Sequence, residues 1–308
     1  RGRFMSEGEF ENLRPALGTT NEATDAYDTV DWLVGNIDGN NGRVGFYGCS
    51  YPGFYATYAA LCNHPAVKAV SPQAPVTDWF MGDDVHHNGV MMLADSFNLM
   101  PMFSHTNHTP TTEWLPTLEH DNSPDQYTYF LNATRDSLRS IMHPSTFWDI
   151  MSEHPDYDEW WQQRDVRQYL YNITPAVLVV GGVFDAEDCF GAWNTYRAIR
   201  TQSPATDCRL VIGPWAHGAW SHEGAEILGD FDFGSKYRRI FKKCKLLGDT
   251  MRYLTEKDME YFRKRAALGQ VVILEIDAKK LLEMDLKELE VPKGKRVSSL
   301  ILRARAKN

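Results

Sequence analysis

One stretch of this sequence, residues 43–54, constrains the fold more than any other. The apolar segment Val44–Phe46 predicts a short buried strand, and Phe54–Leu61 predicts a helix. Ser50 lies in the tight turn between them, with small glycines on both sides that let the strand and the helix approach closely. A strand, a turn that carries Ser and a helix are typical of a nucleophile elbow. Because Pro52 takes the place of the usual second glycine, the turn alone leaves an ordinary strand-helix connection open.

Two later segments supply the acid and the base that a nucleophilic serine needs. The apolar run Ala176–Val180 leads through a glycine pair to Asp185, and the run Arg209–Ile212 leads to His217. In open α/β sheets, functional groups lie beyond the carboxyl ends of the strands. Each residue alone is compatible with an ordinary loop position, but the order Ser50, Asp185, His217 is that of an α/β-hydrolase triad. Together they predict a serine hydrolase.

Several of these segments resemble motifs of the α-amino-acid ester hydrolases, a family related to cocaine esterase, X-Pro dipeptidyl peptidases and some cephalosporin acylases. The resemblance covers roughly residues 1–235. It rests on residues 1–8 (Arg-Gly-Arg-Phe-Met-Ser-Glu-Gly), 48–53 (Gly-Cys-Ser-Tyr-Pro-Gly), 81–89 (Met-Gly-Asp-Asp-Val-His-His-Asn-Gly), 181–188 (Gly-Gly-Val-Phe-Asp-Ala-Glu-Asp) and 213–217 (Gly-Pro-Trp-Ala-His).

The resemblance implies a role for each matched residue. Ser50 would be the nucleophile, His217 the general base and Asp185 the residue that orients the imidazole. The backbone N–H of Tyr51 would be one oxyanion donor. In the family a second donor is a Tyr hydroxyl in a region that precedes the first matched segment, and no residue of this sequence matches it.

The resemblance also implies a carboxylate cluster that holds the free α-ammonium group of the substrate. Its members would be Asp84, Glu187 and Asp188. Glu187 and Asp188 follow Asp185 directly at the start of a predicted helix, so they lie near the acyl site. Acidic residues at a helix start also interact favourably with the helix dipole, and this second explanation stays open for them.

The alternation of predicted helices and strands along the chain indicates an α/β fold with a partial, mostly parallel sheet. Helix Glu22–Gly35, capped by Asn21, and strand Ala66–Ala74 flank the elbow. Residues of about 80–172 interrupt this alternation with helical segments, including Gln126–Met142 and Asp156–Tyr169, and predict an inserted cap. The cap histidines match no zinc spacing, so we expect surface or capping positions for most of them and no metal. They are His86, His87, His105, His108 and His120.

A change of composition after residue 235 predicts a domain boundary there. Residues 1–235 carry a single Lys, all nine Trp and a formal charge of −19, whereas residues 236–308 carry twelve Lys, no Trp and a charge of +10. The family would continue with a β-sandwich, which this tail does not resemble. We expect a tail foreign to the hydrolase, with helices and strands in alternation: Asp249–Leu268, Val271–Ile276, Ala278–Leu289 and Val297–Leu302.

Composition narrows the possible partners. The net charge of −9 argues against nucleic acid, and no segment has the length of a membrane span. Five Cys at no metal-like spacing predict neither a disulfide framework nor a metal site. We expect a small-molecule ester or amide substrate and no cofactor. The resemblance also implies export to the periplasm or medium and homo-oligomer formation, although no signal peptide is visible.

The leading prediction is a serine hydrolase of α-amino-acid esters and amides, including β-lactam antibiotics with an α-amino side chain. An X-Pro dipeptidyl peptidase or a general carboxylesterase is the enzymatic alternative. The other alternative is a catalytically incomplete fragment or chimera, since strands that precede the first motif in the family have no counterpart in this sequence.

Overall fold

A computed structural model describes residues 1–3, 5–11, 13–18, 20–104, 125–142, 146–221, 227–232, 272–277 and 300–305. The chain divides into two compact units, Arg1–Gly218 and Ala219–Asn308. The boundary near residue 235 stays a prediction, because residues 233–250 lie outside the described part.

The first unit alternates helices and strands, interrupted by a helical segment. In chain order its elements are α1 (Glu22–Asn36), β1 (Val44–Cys49), α2 (Tyr51–Leu61), β2 (Val67–Gln73), β3 (His86–His87), β4 (Val90–Met91), α3 (Leu93–Ser104), α4 (Gln126–Asn132), α5 (Arg135–Met142), α6 (Thr146–Glu153), α7 (Glu159–Gln162), a 3-10 turn (Val166–Tyr169), β5 (Ala176–Gly182), α8 (Cys189–Gln202) and β6 (Cys208–Gly213).

A four-stranded parallel sheet in the order β1-β2-β5-β6 forms the centre of this unit. Val70 of β2 lies opposite both Phe46 of β1 and Val177 of β5. Helix α2 packs against β1 and β2, and α8 packs against β5 and β6. Because all four strands run in the same direction, their carboxyl ends share one edge of the sheet. This is the α/β core that the sequence predicts.

The predicted first helix is confirmed with its cap. The Asn21 side chain accepts hydrogen bonds from the N–H groups of Ala23 and Thr24, and the Thr24 side chain returns one from the Asn21 N–H. These bonds satisfy N–H groups that have no acceptor within the helix. Helix α1 packs on α2, next to the elbow.

The cap between β2 and β5 is helical, but two of its predicted helices are wrong in detail. The helix expected over Gln126–Met142 is two helices, because Ala133 is extended and Thr134 and Ser137 exchange backbone and side-chain hydrogen bonds that start α5 anew. The helix expected over Asp156–Tyr169 is the short α7 and a 3-10 turn, since aspartates cap the start of each piece. Local capping groups therefore outweigh the helical periodicity here.

One cap histidine departs from the expected surface position. His86 is buried and its ring stacks on Phe80 at 4.2 Å between centroids. Burial lowers the pKa of His86 to about 4, so it is a neutral core residue near pH 7. Histidines 105, 108 and 120 lie outside the described residues.

The second unit contains a 3-10 turn (Ala219–Ser221) and two strand pairs. Strands β7 (Ile227–Leu228) and β8 (Phe231–Asp232) are antiparallel, and β9 (Val272–Asp277) and β10 (Leu300–Arg305) are parallel. The strand expected at Val271–Ile276 is confirmed one residue later, and the one expected at Val297–Leu302 lies three residues later. The two helices predicted for the tail lie outside the described residues. No helix of the described residues is long and apolar enough to span a bilayer.

Candidate active site

Ser50 occupies a strained turn between β1 and α2. Its φ of 68° and ψ of −129° lie in a region that a non-glycine residue rarely adopts, at a cost of about 1–3 kcal/mol. The Ser50 N–H donates to the Gln73 carbonyl at 3.0 Å, which holds the turn against β2. The Ser50 side chain makes no capping bond to its own helix. The hydroxyl therefore lies at the carboxyl edge of the sheet without a capping hydrogen bond to α2.

The structure explains why the second glycine comes one residue later than usual. A Cβ on Gly53 would overlap the Gln73 carbonyl oxygen and press on Pro75, so α2 can pack this closely on the end of β2 only with glycine at position 53. Pro52 lies in the first turn of α2, where a missing N–H costs little.

Tyr51 is the first residue of α2, and its side chain turns into the core. The ring is buried and contacts Phe54 and Trp79 edge-on. The contribution of Tyr51 to the site is consequently its backbone N–H, one of the first-turn groups that have no acceptor within a helix. The positive end of the α2 dipole lies at the same place.

Asp185 and His217 come together across neighbouring strand ends. His217 Nδ1 lies 2.9 Å from Asp185 Oδ2 and 3.1 Å from Oδ1. Since a carboxylate can only accept, Nδ1 carries the proton and Nε2 keeps its lone pair. Asp185 is 5% exposed, which strengthens this charge-assisted bond. Burial acts to lower the pKa of His217, but the bond and charge of Asp185 outweigh it and the pKa is raised.

The Asp185 carboxylate also organises the turn that follows it. Its Oδ1 accepts hydrogen bonds from the N–H groups of Glu187 at 3.0 Å and Asp188 at 2.9 Å. The two acidic residues after the strand are thus directed to the same side as His217. One carboxylate orients the imidazole and sets the start of α8.

The predicted carboxylates Asp84, Glu187 and Asp188 surround His217. Glu187 Oε2 lies 3.6 Å from His217 Nε2, and Asp188 Oδ2 lies 3.9 Å from Nδ1. Asp84 is 6% exposed and interacts electrostatically with both His217 and Asp188. Among the described residues, the ion pairs of Glu187 and Asp188 are with His217 alone. The fully buried Asp188 carboxyl accepts no bond from a backbone N–H or a hydroxyl, and its one hydrogen bond is with the Asp84 carboxyl.

The pKa values of this cluster are raised, first of all by burial. Burial raises the pKa of Asp188 well above its usual range, and the neighbouring charges of Asp84 and Asp83 act in the same direction. Burial likewise raises the pKa of Asp84 and of Glu187, although the His217 charge opposes the rise in both. Neighbouring carboxyls that repel one another in a dry pocket favour either protons or a bound cation.

The same side chains could hold either an ammonium group or a metal ion. Glu187, Asp188 and His217 each offer one ligand atom, and these atoms lie within 4.8 Å of one another. Carboxylate oxygens suit an ammonium group as well as a metal ion, so the geometry alone admits both. Asp188 lies at the N-terminal end of α8 but accepts no hydrogen bond from its first turn, so only the interaction with the helix dipole stays open as the alternative role.

The elbow and the histidine loop are neighbours. A Cβ on Gly218 would lie 3.5 Å from Cys49 Sγ, which brings the loop after His217 against the residue before Ser50. Burial raises the pKa of the Cys49 thiol to about 11, with Asp185 and Glu187 adding to the rise. Cys49 is therefore a neutral packing residue.

Two acidic residues near the site were missed by the sequence analysis. Asp83 is fully buried next to Asp84, and half-buried Asp95 on α3 acts electrostatically on Asp84 and Glu187. The resemblance indicated Asp84 as the residue that faces the site, but it assigned no role to the adjacent Asp83. Nothing in the sequence singled out Asp95.

The raised pKa of Asp188 predicts a pH-dependent stability difference for the variant Asp188→Asn. Below about pH 4 the carboxyl is protonated in both folded and unfolded states, so the raised pKa has no cost there. As the pH rises toward the folded-state pKa, only the unfolded state ionises freely, and folded wild type loses stability. We expect Asp188→Asn to gain stability relative to wild type as pH rises, by at most about 1.4 kcal/mol per unit. Thermal melts at a series of pH values measure this.

An exposed aspartate provides the control for this measurement. Asp28 lies on the outer face of α1, and Asp28→Asn removes the same formal charge without a buried carboxyl. The change with pH in Asp188→Asn that exceeds the change in Asp28→Asn is the part due to the buried carboxyl. A stability difference between Asp188→Asn and wild type that does not change with pH would contradict the raised pKa of Asp188.

Comparisons with known proteins agree with the arrangement of these elements. A family model described as X-Pro dipeptidyl-peptidase (S15 family) matches residues 1–219. The cocaine esterase of Rhodococcus sp. (strain MB1 Bresler) is 25% identical over an alignment of 239 residues that covers 73% of this chain and 39% of the esterase.

Two solved structures share both the fold and part of the sequence. An aminopeptidase from a marine sediment archaeon, Thaumarchaeota archaeon, matches with a TM-score of 0.66 and 32% identity over 80% of this chain and 42% of its own. An α-amino acid ester hydrolase matches with a TM-score of 0.67 and 30% identity over 78% of this chain and 40% of its own. These neighbours confirm a partial α/β-hydrolase core, and the chain spans about two fifths of the length of these relatives.

Proposed function

The chain belongs to the X-Pro dipeptidyl-peptidase family (S15 family), and from this premise we propose that it is a serine hydrolase of esters and amides of α-amino acids. The observation that carries the proposal is the group of carboxyls next to His217, formed by buried Asp84 and Asp188 and half-buried Glu187. A hydrolase for neutral esters has no use for three acidic side chains beside its general base. A substrate with a free ammonium group next to the scissile carbonyl would neutralise them.

The proposed reaction proceeds through an acyl-enzyme. Ser50 Oγ attacks the carbonyl carbon while His217 Nε2 takes the hydroxyl proton, which gives a tetrahedral oxyanion. When the carbon–oxygen or carbon–nitrogen bond to the leaving group breaks, that proton passes to the departing alcohol or amine. Water then attacks the ester of Ser50, His217 takes a proton from it, and the acid is released with Ser50 restored.

Two further groups serve this reaction in the proposal. The Tyr51 N–H, at the positive end of α2, donates to the oxyanion. Asp185 fixes the Nδ1–H tautomer of His217 through the 2.9 Å hydrogen bond and stabilises the imidazolium that forms during the attack.

The carboxylate cluster would bind the α-ammonium group of the substrate. A carboxylate about 4 Å from an ammonium contributes up to about 4 kcal/mol of Coulomb attraction at an intermediate dielectric, and desolvation takes part of this back. Burial already holds Asp84, Glu187 and Asp188 in an unfavourable state when ionised, as their raised pKa values indicate. A bound cation relieves that repulsion, so the cluster favours amino substrates over neutral ones.

A peptidase that removes residues from a free amino terminus is the second candidate. The family model is that of an X-Pro dipeptidyl-peptidase, and one structural neighbour is an aminopeptidase. Both names imply an acyl part that begins with a free amino group, which the same carboxylates would hold. The length of the acyl part separates the two candidates: a single aminoacyl ester for the first, an X-Pro dipeptide for the second.

The proposal predicts that Glu187→Gln and Asp188→Asn reduce the preference for amino esters. The test compares kcat/KM for a phenylglycine ester with kcat/KM for its N-acetylated form. A charge-assisted contact contributes about 1.5–3 kcal/mol, so we expect the ratio of the two values to fall by about 10- to 100-fold in each variant. The N-acetyl substrate has the same acyl group without the charge, which isolates the ammonium contribution.

Asp28→Asn is again the matched control. It changes the net charge by the same amount at an exposed position of α1, outside this cluster. The ratio of the two kcat/KM values in this variant should equal that of wild type. A wild type that hydrolyses both esters equally well would support a general carboxylesterase instead and would contradict the amino-group site.

A further inference from the structure

Asp83 and Asp84 are adjacent in sequence but have opposite surroundings. Asp84 Oδ1 has no hydrogen-bond partner among the described residues, whereas the fully buried Asp83 carboxylate accepts hydrogen bonds at both oxygens. We propose that Asp83 is a positioning residue of the amino-group site: it locks the loop that carries Asp84 onto the first turn of α8, and it caps that helix in place of Asp188. The inference rests on the proposed function, because the site it serves is the ammonium site.

The Asp83 carboxylate accepts four hydrogen bonds. Oδ2 accepts from the Thr77 N–H at 2.8 Å, the Thr77 hydroxyl at 3.0 Å and the Asp78 N–H at 3.1 Å. Oδ1 accepts from the Gly191 N–H at 2.7 Å. Oδ2 thus accepts three bonds and Oδ1 accepts one, so both oxygens are engaged. Three bonds hold the loop and the fourth crosses to α8.

The fourth bond replaces a missing helix cap. Asp188 is the N-cap residue of α8, and an N-cap side chain ordinarily accepts from the N–H two or three residues on. Gly191 is the third residue after this cap, and its N–H is bonded to Asp83 instead. Asp188 makes no capping bond, and its carboxyl is paired with the Asp84 carboxyl instead. Asp83 therefore releases Asp188 from the capping role and leaves it for the ligand.

Only glycine fits at position 191, because the start of α8 lies very close to the loop after β2. A Cβ at this position would overlap the Pro75 carbonyl oxygen and lie 2.9 Å from Asp83 Oδ1. Any larger residue would push the start of α8 away from the exit of β2. Asp83 also lies at the positive end of the α8 dipole, which favours its ionised form, whereas burial raises the pKa of the Asp83 carboxyl to about 7.

Asp78 provides a matched comparison within the same loop. It is 1% exposed and also accepts several hydrogen bonds: from the N–H groups of Phe80 and Met81, from the Tyr157 hydroxyl and from Arg167. The first two bonds lie within the loop and the other two tie it to the cap, so none of the four goes to a group of α8. A loss of loop rigidity in general should appear in Asp78→Asn, whereas a loss of the contact with α8 should appear only at Asp83.

The test is the variant Asp83→Asn. The amide oxygen can satisfy the three donors of Thr77 and Asp78, but the amide NH2 then faces the Gly191 N–H, and two donors repel. Asp188 is free to rotate and cap its own helix, which removes it from the ammonium site. We expect the ratio of kcat/KM for the phenylglycine ester to kcat/KM for its N-acetyl form to fall by about tenfold in Asp83→Asn. The ratio in Asp78→Asn should stay within about twofold of wild type.

A double variant tests whether Asp83 acts through Asp188. If it does, Asp83→Asn produces no further fall in the ratio when Asp188 is already Asn. Should Asp83→Asn not fold, Thr77→Val removes one of the three loop bonds, and a two- to fivefold fall in the ratio is expected. An unchanged ratio, an equal loss on both substrates, or an equal fall in Asp78→Asn would overturn the inference. If Asp188→Asn and Glu187→Gln themselves leave the ratio unchanged, the proposed ammonium site is wrong. If these two variants lower the ratio and Asp83→Asn does not, only the positioning role of Asp83 is wrong.

Discussion

Replacing Ser50 by Ala is expected to abolish covalent labelling of the purified chain by a fluorophosphonate and to lower ester hydrolysis by roughly 10⁴-fold or more. The elbow presents a single hydroxyl at the strained position after β1, and its φ of 68° directs it out of the helix. Alanine removes the attacking oxygen and keeps the turn. Gel fluorescence of the labelled protein and initial rates with an activated ester measure the two effects.

Ser152 is the control for this experiment. Its hydroxyl donates to the Trp148 carbonyl one turn earlier in the same helix, so Ser152→Ala removes a hydroxyl that the proposed reaction does not use. Labelling and hydrolysis should persist in that variant. Labelling that survives in Ser50→Ala, or a folded wild-type chain that takes no label, would contradict the assignment of Ser50 as nucleophile.

Replacing Asp185 by Asn is expected to lower kcat by about 10⁴-fold while the fold is retained. The reason lies in the two N–H groups of Glu187 and Asp188, which both donate to Asp185 Oδ1. In the variant these donors require the amide oxygen at that place, so the NH2 takes the position of Oδ2, 2.9 Å from His217 Nδ1. The NH2 can only donate, and it forces Nδ1 to be the acceptor. The proton of the imidazole then lies on Nε2, where the proposed base needs its lone pair.

The tautomer itself can be measured. Nitrogen NMR of ¹⁵N-histidine-labelled protein distinguishes a protonated Nδ1 from a protonated Nε2 at a pH where the imidazole is neutral. We expect the Nδ1–H form in wild type and the Nε2–H form in Asp185→Asn. Asp207→Asn serves as control, because Asp207 is an exposed aspartate that pairs only with Arg209 among the described residues. A loss of less than tenfold in kcat, with the Nε2–H tautomer present, would exclude the proposed role of Asp185.

Local sequence patterns determined the main elements of the catalytic unit. The apolar run before Ser50 predicted β1, the glycines around the turn predicted the elbow, and the run before Asp185 predicted β5, one of the two strands of the central sheet that are paired on both sides. These features depend on residues within a few positions of one another, and for that reason a single sequence reveals them. The roles of Asp84, Glu187 and Asp188 came from resemblance, since no local pattern separates a ligand-binding carboxylate from one that caps a helix.

The tertiary structure alone decided which carboxylates accept hydrogen bonds from the backbone and which face the site. Asp83 and Gly191 are 108 positions apart in the sequence, yet their hydrogen bond determines that Asp83, rather than Asp188, satisfies the start of α8. The burial of His86 depends in the same way on the distant Trp161, which packs edge-on against its ring. A side chain's environment is set by all the elements packed around it, whereas the sequence pattern reports only on its own element. The sequence thus determined where the elbow, the acid and the base lie along the chain, and the packing of α8 on the loop after β2 decided which acidic groups face them.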